Sequence, residues 1–162
     1  MAVGIPVVND PDIETIGQGV EAVARLLSQG RLVEQILRHA KVEVGRGDVA
    51  LLHNLSAAGD WVRLGDLADR LRVDAPKVTR RVQQLEGRQL LRRASDPRDR
   101  RASLVHLTPA GGRIVSRVLG ARRSWLEGVL ATWNERDRRE FGRLLARFVS
   151  DVGADLEGPD GH

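Results

Sequence analysis

The side chains best suited to recognising another molecule lie between Lys77 and Arg101. Val78, Val82 and Leu85 recur at helical spacing and define one apolar face. The opposite face carries Pro76, Lys77, Arg80, Gln83 and Gln84, with Thr79 at its edge. These are the types that read base edges in the major groove of a duplex. Arg and Lys donate to guanine, Gln pairs with adenine, and the Thr methyl packs on thymine. An ordinary solvated helix carries similar residues, so the neighbouring elements decide the reading.

Those neighbours form a recognisable frame. Leu64, Leu67, Ala68 and Leu71 give a first short helix with its own apolar face. The pattern breaks at Arg72-Val73-Asp74, where Asp74 suits an N-cap, and Pro76 then falls in the first turn, where its missing N–H costs nothing. Leu90–Arg93 and Ala102–Leu107 read as two strands around the turn-rich, arginine-rich run Ser95–Arg101. Helix, turn, helix and hairpin together predict a winged helix. Arg98, Arg100 and Arg101 at the wing are expected to follow phosphates or enter a narrow minor groove, where the negative potential is strongest. Asp96 and Asp99 are expected to shape the loop, Asp99 by pairing with Arg98 or Arg101.

The segment resembles the MarR family of bacterial transcription regulators. Its wing pattern D-P-x-D-R-R appears as Asp96-Pro97-Arg98-Asp99-Arg100-Arg101, and its L-T-x-x-G as Leu107-Thr108-Pro109-Ala110-Gly111. Val78-Thr79-Arg80 and Leu85-Glu86 are similar to the family's recognition helix. The likeness is densest from Leu64 to Gly111. Two positions depart from it. Gln89 stands where glycine is usual, so the helix is expected to end through Gly87 instead. Arg63 stands where a Ser or Thr cap is common, leaving the first helix poorly capped.

Charge follows the same division. Residues 70–101 hold eleven Lys and Arg against four acids, an excess of +7, while the rest holds fifteen bases against eighteen acids, a balance of −3. The formal net charge of +4 therefore comes from the proposed reading unit, the footprint of a phosphate-bearing partner. All but Lys41 and Lys77 of the basic residues are Arg. Without cysteine the chain forms no disulfide, thiol switch or zinc finger. His39, His53, His106 and His162 lack metal-ligand spacing, so neither metal nor cofactor is expected. H-E-x-x-H, G-x-S-x-G and a Walker loop are all absent, and no enzyme activity is expected. The N-terminus lacks the pattern of a secretory signal, and no apolar run approaches the roughly 20 residues of a membrane span. A cytoplasmic protein is expected.

In chain order, residues 1–11 read as a loose arm. A helical stripe, Ile13, Ile16, Val20, Val23, Leu27, continues through Leu32, Val33, Ile36 and Leu37, with Gly17, Gly19 and Gly30 as sites of bending. Lys41-Val42-Glu43-Val44 alternates like a strand, and Gly45-Arg46-Gly47-Asp48-Val49-Ala50 fits a degenerate dinucleotide fingerprint, with Asp66 about 20 residues beyond. Asp66 opens a helix rather than ending a second strand, so a tight glycine turn between helices is the better reading. A helix over about 46–57 follows, closed near Gly59. Thr108 and Pro109 start a long helix reaching about Trp133, and Asn134 caps a last one that includes Phe141, Leu144, Leu145, Phe148, Val149 and Val152. Residues 153–162 read as a flexible tail.

The expected fold is therefore mainly α with a small β-wing, one domain spanning 1–162. Residues 46–108 form the winged DNA-binding unit, and about 12–45 and 109–152 supply dimerisation helices. The terminal stripes exceed what the small winged unit can cover, and such surface calls for a second copy. A two-fold homodimer would set two recognition helices about 34 Å apart on a pseudo-palindromic double-stranded site. The resemblance implies a repressor, commonly released by a small aromatic or anionic effector in a crevice that His39, His53, Trp61 and Arg113 could border. The alternative is a winged helix binding DNA without sequence choice, or binding protein.

Overall fold

The computed structural model describes residues 10–99 and 102–156. In order they form α1 (Pro11–Ser28), α2 (Arg31–Ala40), α3 (Arg46–Ala58), β1 (Val62–Arg63), α4 (Leu64–Leu71), α5 (Ala75–Gly87), β2 (Leu91–Ser95), β3 (Ser103–Leu107), α6 (Pro109–Val129) and α7 (Glu135–Leu156). Two compact units divide within α6, one up to Arg122 and one from Arg123.

The first unit is built around the expected apolar faces. Leu51, Leu52 and Leu55 of α3 meet Leu67 and Ala68 of α4 and Val78, Val82 and Leu85 of α5, and Val62, Leu91, Val105 and Val115 complete the core. Burying each large aliphatic side chain contributes about 1.5–3 kcal/mol, enough to fix helices too short to persist alone. The three strands run antiparallel in the order β1-β3-β2. Leu91 faces Leu107 and Arg93 faces Val105 in the wing, while Val62 faces Val105 on the other side. β1 has only two residues and no alternation to read, so its pairing with β3 emerges only in three dimensions. A smaller cluster joins Ile36 and Ala40 of α2 to Ala121 of α6.

Several boundaries depart from the sequence reading. The N-terminal helix is broken, not bent: Gly30 adopts φ +71° between α1 and α2, while Gly17 and Gly19 stay helical. Residues 42–45 form no strand, and Gly45 is the N-cap of α3. Gly87 remains helical, and Gln89 itself takes the left-handed conformation at φ +58°. Its N–H donates to the Glu86 carbonyl at 2.8 Å, and the Leu90 N–H donates to that of Leu85 at 3.0 Å. Lys41 and Arg72 end α2 and α4 in the same way, both at φ +50°. Three helices therefore stop on the reverse turn usually given to glycine.

At Thr108 the cap is as expected. Its hydroxyl accepts from the Gly111 N–H at 3.1 Å and donates to the Gln89 carbonyl at 2.8 Å, tying α6 to the end of the recognition segment. Gly111 passes so close to the Leu90 carbonyl that any Cβ there would overlap it. In the second unit α6 stops at Val129, short of Trp133, because turns over 130–133 precede the Asn134 cap, whose side-chain oxygen accepts from the Asp137 N–H at 2.8 Å. The last helix continues to Leu156, so residues 153–156 are helix rather than tail. Nothing in Gly153-Ala154-Asp155-Leu156 breaks a helix as strongly as proline does, and the next proline in the sequence is Pro159.

Candidate nucleic-acid interface

α5 presents the expected face. Val78, Val82 and Leu85 are buried, while Pro76, Lys77, Arg80, Gln83 and Gln84 are exposed. Thr79 is half-buried and its hydroxyl donates to the Ala75 carbonyl at 2.9 Å, so its methyl is the group left for an apolar contact. Asp74 holds the N-cap position without capping through its side chain. The carboxylate instead pairs with Lys77 Nζ at 2.7 Å. Hydrogen bonding and charge lower the Asp74 pKa and raise that of Lys77. Lys77 must therefore share or leave that pair to meet another partner.

The basic residues separate into two sets. Arg81 pairs with Asp48 at 2.8 Å, Arg93 pairs with Glu86 at 3.0 Å, Arg88 donates to the Glu43 carbonyl, and Arg92 lies over Trp61 with 5.0 Å to the ring centroid. These four are internal struts. Arg70, Arg72, Arg80 and Arg98 are exposed and form no ion pair with another described residue. The excess charge read from the sequence is thus only partly available to a partner. Arg70 and Arg72 carry no sequence signal of their own; what sets them apart is that neither forms an ion pair with another described residue.

The Arg81 strut also accounts for Gly47 of the fingerprint-like run. Asp48 accepts from the Gly45 N–H at 3.0 Å with one oxygen and from Arg81 with the other. The Arg81 guanidinium lies where a Cβ on Gly47 would stand. The motif is a seat for an arginine from the recognition helix, with no strand leading into it.

At the wing, Asp96 is the acid that orders the described part of the loop. It is 4% exposed. Arg63 donates to one carboxylate oxygen, and the Arg98 N–H donates to the other at 2.8 Å. The Arg98 N–H first, then Arg63 and the Asp99 N–H, hold its carboxyl below the ordinary carboxylate value against the opposing push of burial. The Asp99 carbonyl accepts from the Ala102 N–H at 2.9 Å. Arg63 reaches Asp96 across 33 residues, a pairing that only spatial proximity reveals. Arg100 and Arg101 lie outside the described residues.

Of the four residues expected at an effector crevice, only Trp61 lines either of the two hollows beside β1 and β3. Trp61 is half-buried, lies against His106 with ring centroids 5.2 Å apart and the rings tilted by 46°, and borders an open hollow of about 770 Å³ that Arg63, Arg70 and Arg98 also line. His39, His53 and Arg113 are exposed and line neither this hollow nor the one of about 490 Å³ beside His106 and Arg92.

A helix-turn-helix with an outward basic face, flanked by a three-stranded wing, defines a winged-helix DNA-binding protein. Comparison with known proteins gives the family. The MarR family model matches residues 46–103. The HTH-type transcriptional regulator Mb0904 of Mycobacterium bovis is 33% identical over 133 residues, covering 80% of this chain and 89% of that one. A MarR family protein from Bacillus stearothermophilus has a similar fold, with a TM-score of 0.76 at 20% identity over 88% of this chain and 96% of that one. So does an F27L mutant of MepR from S. aureus bound to an oligodeoxyribonucleotide, with a TM-score of 0.60 at 19% identity over 82% and 97%. The chain belongs to the MarR family of transcription regulators.

Proposed function

We propose that this chain is a sequence-specific, homodimeric repressor acting on double-stranded DNA in the cytoplasm. One observation carries the reading. Arg80, Gln83 and Gln84 form an exposed row on α5, with no ion-pair partner for Arg80 among the described residues, beside a wing that presents Arg98. Arg80, Gln83, Gln84, Lys77 and Thr79 then meet the major groove, and Arg98, Arg100 and Arg101 the flanking backbone or minor groove. An F27L mutant of MepR, a protein of similar fold, is bound to an oligodeoxyribonucleotide, which supports DNA as the partner.

Dimerisation rests on apolar surface left open. Neither α1 nor α7 buries a residue, and Ile13, Ile16, Val23, Phe141, Leu145 and Val149 are among the exposed. A second copy covering these faces removes a surface too large for a stable monomer. In this reading residues 46–108 read DNA, while α1, α2, α6 and α7 pair the chains. An aromatic or anionic effector that prefers another spacing of the two heads releases DNA in proportion to its differential affinity.

Selection of bound fragments from the host genome tests the reading. It should enrich a pseudo-palindrome with half-site centres about 10–10.5 base pairs apart. Recovery of fragments without a common motif would contradict it.

A further inference from the structure

Arg63 sits at the N-cap of α4 without capping it. Its backbone belongs to β1 and pairs with Leu104 of β3, which pairs in turn with Ala94 of β2. From there the side chain reaches the wing base, where Nε and Nη2 meet Asp96 Oδ2 at 2.8 and 2.7 Å. The Asp96 side chain is 5% exposed, against 48% for Arg63. A carboxylate so far from water is costly to leave unpaired, so the bond holds the turn at Asp96 against the start of the helix-turn-helix. Two residues on, Arg98 projects from that turn, exposed and without an ion-pair partner among the described residues.

We propose that Arg63 is a positioning residue for DNA binding: it clamps Asp96 so that the wing presents Arg98 to the duplex, and does not itself contact DNA. The proposal rests on the function proposed above. It also gives Arg63 a reason to occupy a capping position. The helix forgoes a side-chain cap, and the wing gains a fixed attachment to the element that leads into the reading helices.

Asp96→Asn separates the two roles open to Arg63. If Arg63 held a phosphate, removing the neighbouring acid would free its charge and tighten binding. If Arg63 acts through the wing, Asp96→Asn breaks the clamp and weakens binding although a negative charge is lost. The experiment titrates the full chain and its variants onto one duplex taken from its upstream region, at fixed salt. Arg63→Ala and Asp96→Asn should each lose on the order of tenfold in affinity, the loss of one well-placed arginine contact. Arg63→Lys, which keeps the charge and one donor, should fall between Arg63→Ala and wild type. Arg63→Ala combined with Arg98→Ala should bind about as well as Arg98→Ala alone, because both remove the same contact. A purely stabilising Arg63 would lower the unfolding midpoint but leave the affinity of the folded protein unchanged, and that result overturns the proposal. So would tighter binding by Asp96→Asn, or additive losses in the double variant. Wild type that binds no duplex would overturn the DNA-binding reading itself. Wild type that binds, with Arg63→Ala and Arg63→Lys binding equally well, would overturn this proposal alone.

Discussion

At the scale of single residues, an arginine's role here follows from whether the fold already supplies its counter-charge. Arg80 has no ion-pair partner among the described residues, whereas Lys77 is held by Asp74 at 2.7 Å. Arg80→Ala should therefore cost about 1–3 kcal/mol in binding and relax preference at one base pair. Lys77→Ala should cost less, because exposed pairs are weak but must still be broken or shared. A base-substitution series on the bound duplex checks both, and an unchanged profile for Arg80→Ala would remove Arg80 from the reading set. Asp96 gives a pH dependence of defined sign. Its folded-state pKa lies below the ordinary 3.8, chiefly through the Arg98 N–H. Such a group adds stability that is complete above the unfolded value and lost as pH falls through the folded one. The stability gap between wild type and Asp96→Asn should stay constant through neutral pH and close only below about pH 4. Chemical denaturation from pH 7 to pH 2.5 measures it, and a gap that narrows between pH 7 and 5 would contradict the assignment.

At the scale of elements, the helix ends hold the clearest stability predictions. Gln89 adopts φ +58°, a conformation costing a residue with a Cβ about 1–2 kcal/mol. Glycine there would regain that and lose about 0.5–1 kcal/mol in chain entropy. Gln89→Gly should therefore stabilise the fold by about 0.5–1 kcal/mol in denaturant. Gly111→Ala should do the reverse, by about 1–3 kcal/mol or more, because the added methyl overlaps the Leu90 carbonyl. The two substitutions show what the sequence could tell and what it could not. Periodicity placed the apolar faces of α4 and α5, because short amphipathic helices around one core have few other arrangements. Thr108, Pro109 and Asn134 announced their caps, since capping is local chemistry. α5 ends at Gly87, but the left-handed turn beyond it falls on Gln89, which lacks the local signature of one; the reach of Leu90 to Leu85 enforces it. The two-residue β1 and the Arg63–Asp96 and Arg81–Asp48 pairs join positions far apart in sequence, where no periodic pattern operates. The recognition face was legible because exposure follows from helix geometry; which arginines remain available to DNA was not, because that depends on acids brought near by folding.

At the scale of the molecule, the open apolar faces of α1 and α7 predict an obligate pairing. Sedimentation should find two chains at micromolar concentration, and replacing Leu145 with Asp should shift the equilibrium toward monomer and weaken operator binding together. A wild-type monomer that still binds DNA tightly would break the link between pairing and reading. Sequence-specific reading by a dimer is measured most directly by fluorescence anisotropy on a duplex from the chain's own upstream region beside a scrambled duplex, over a series of salt concentrations. A sequence-specific dimer saturates at two chains per duplex and prefers the upstream site about a thousandfold or more, with affinity falling as salt rises. Equal affinity for both duplexes at every salt concentration would contradict it.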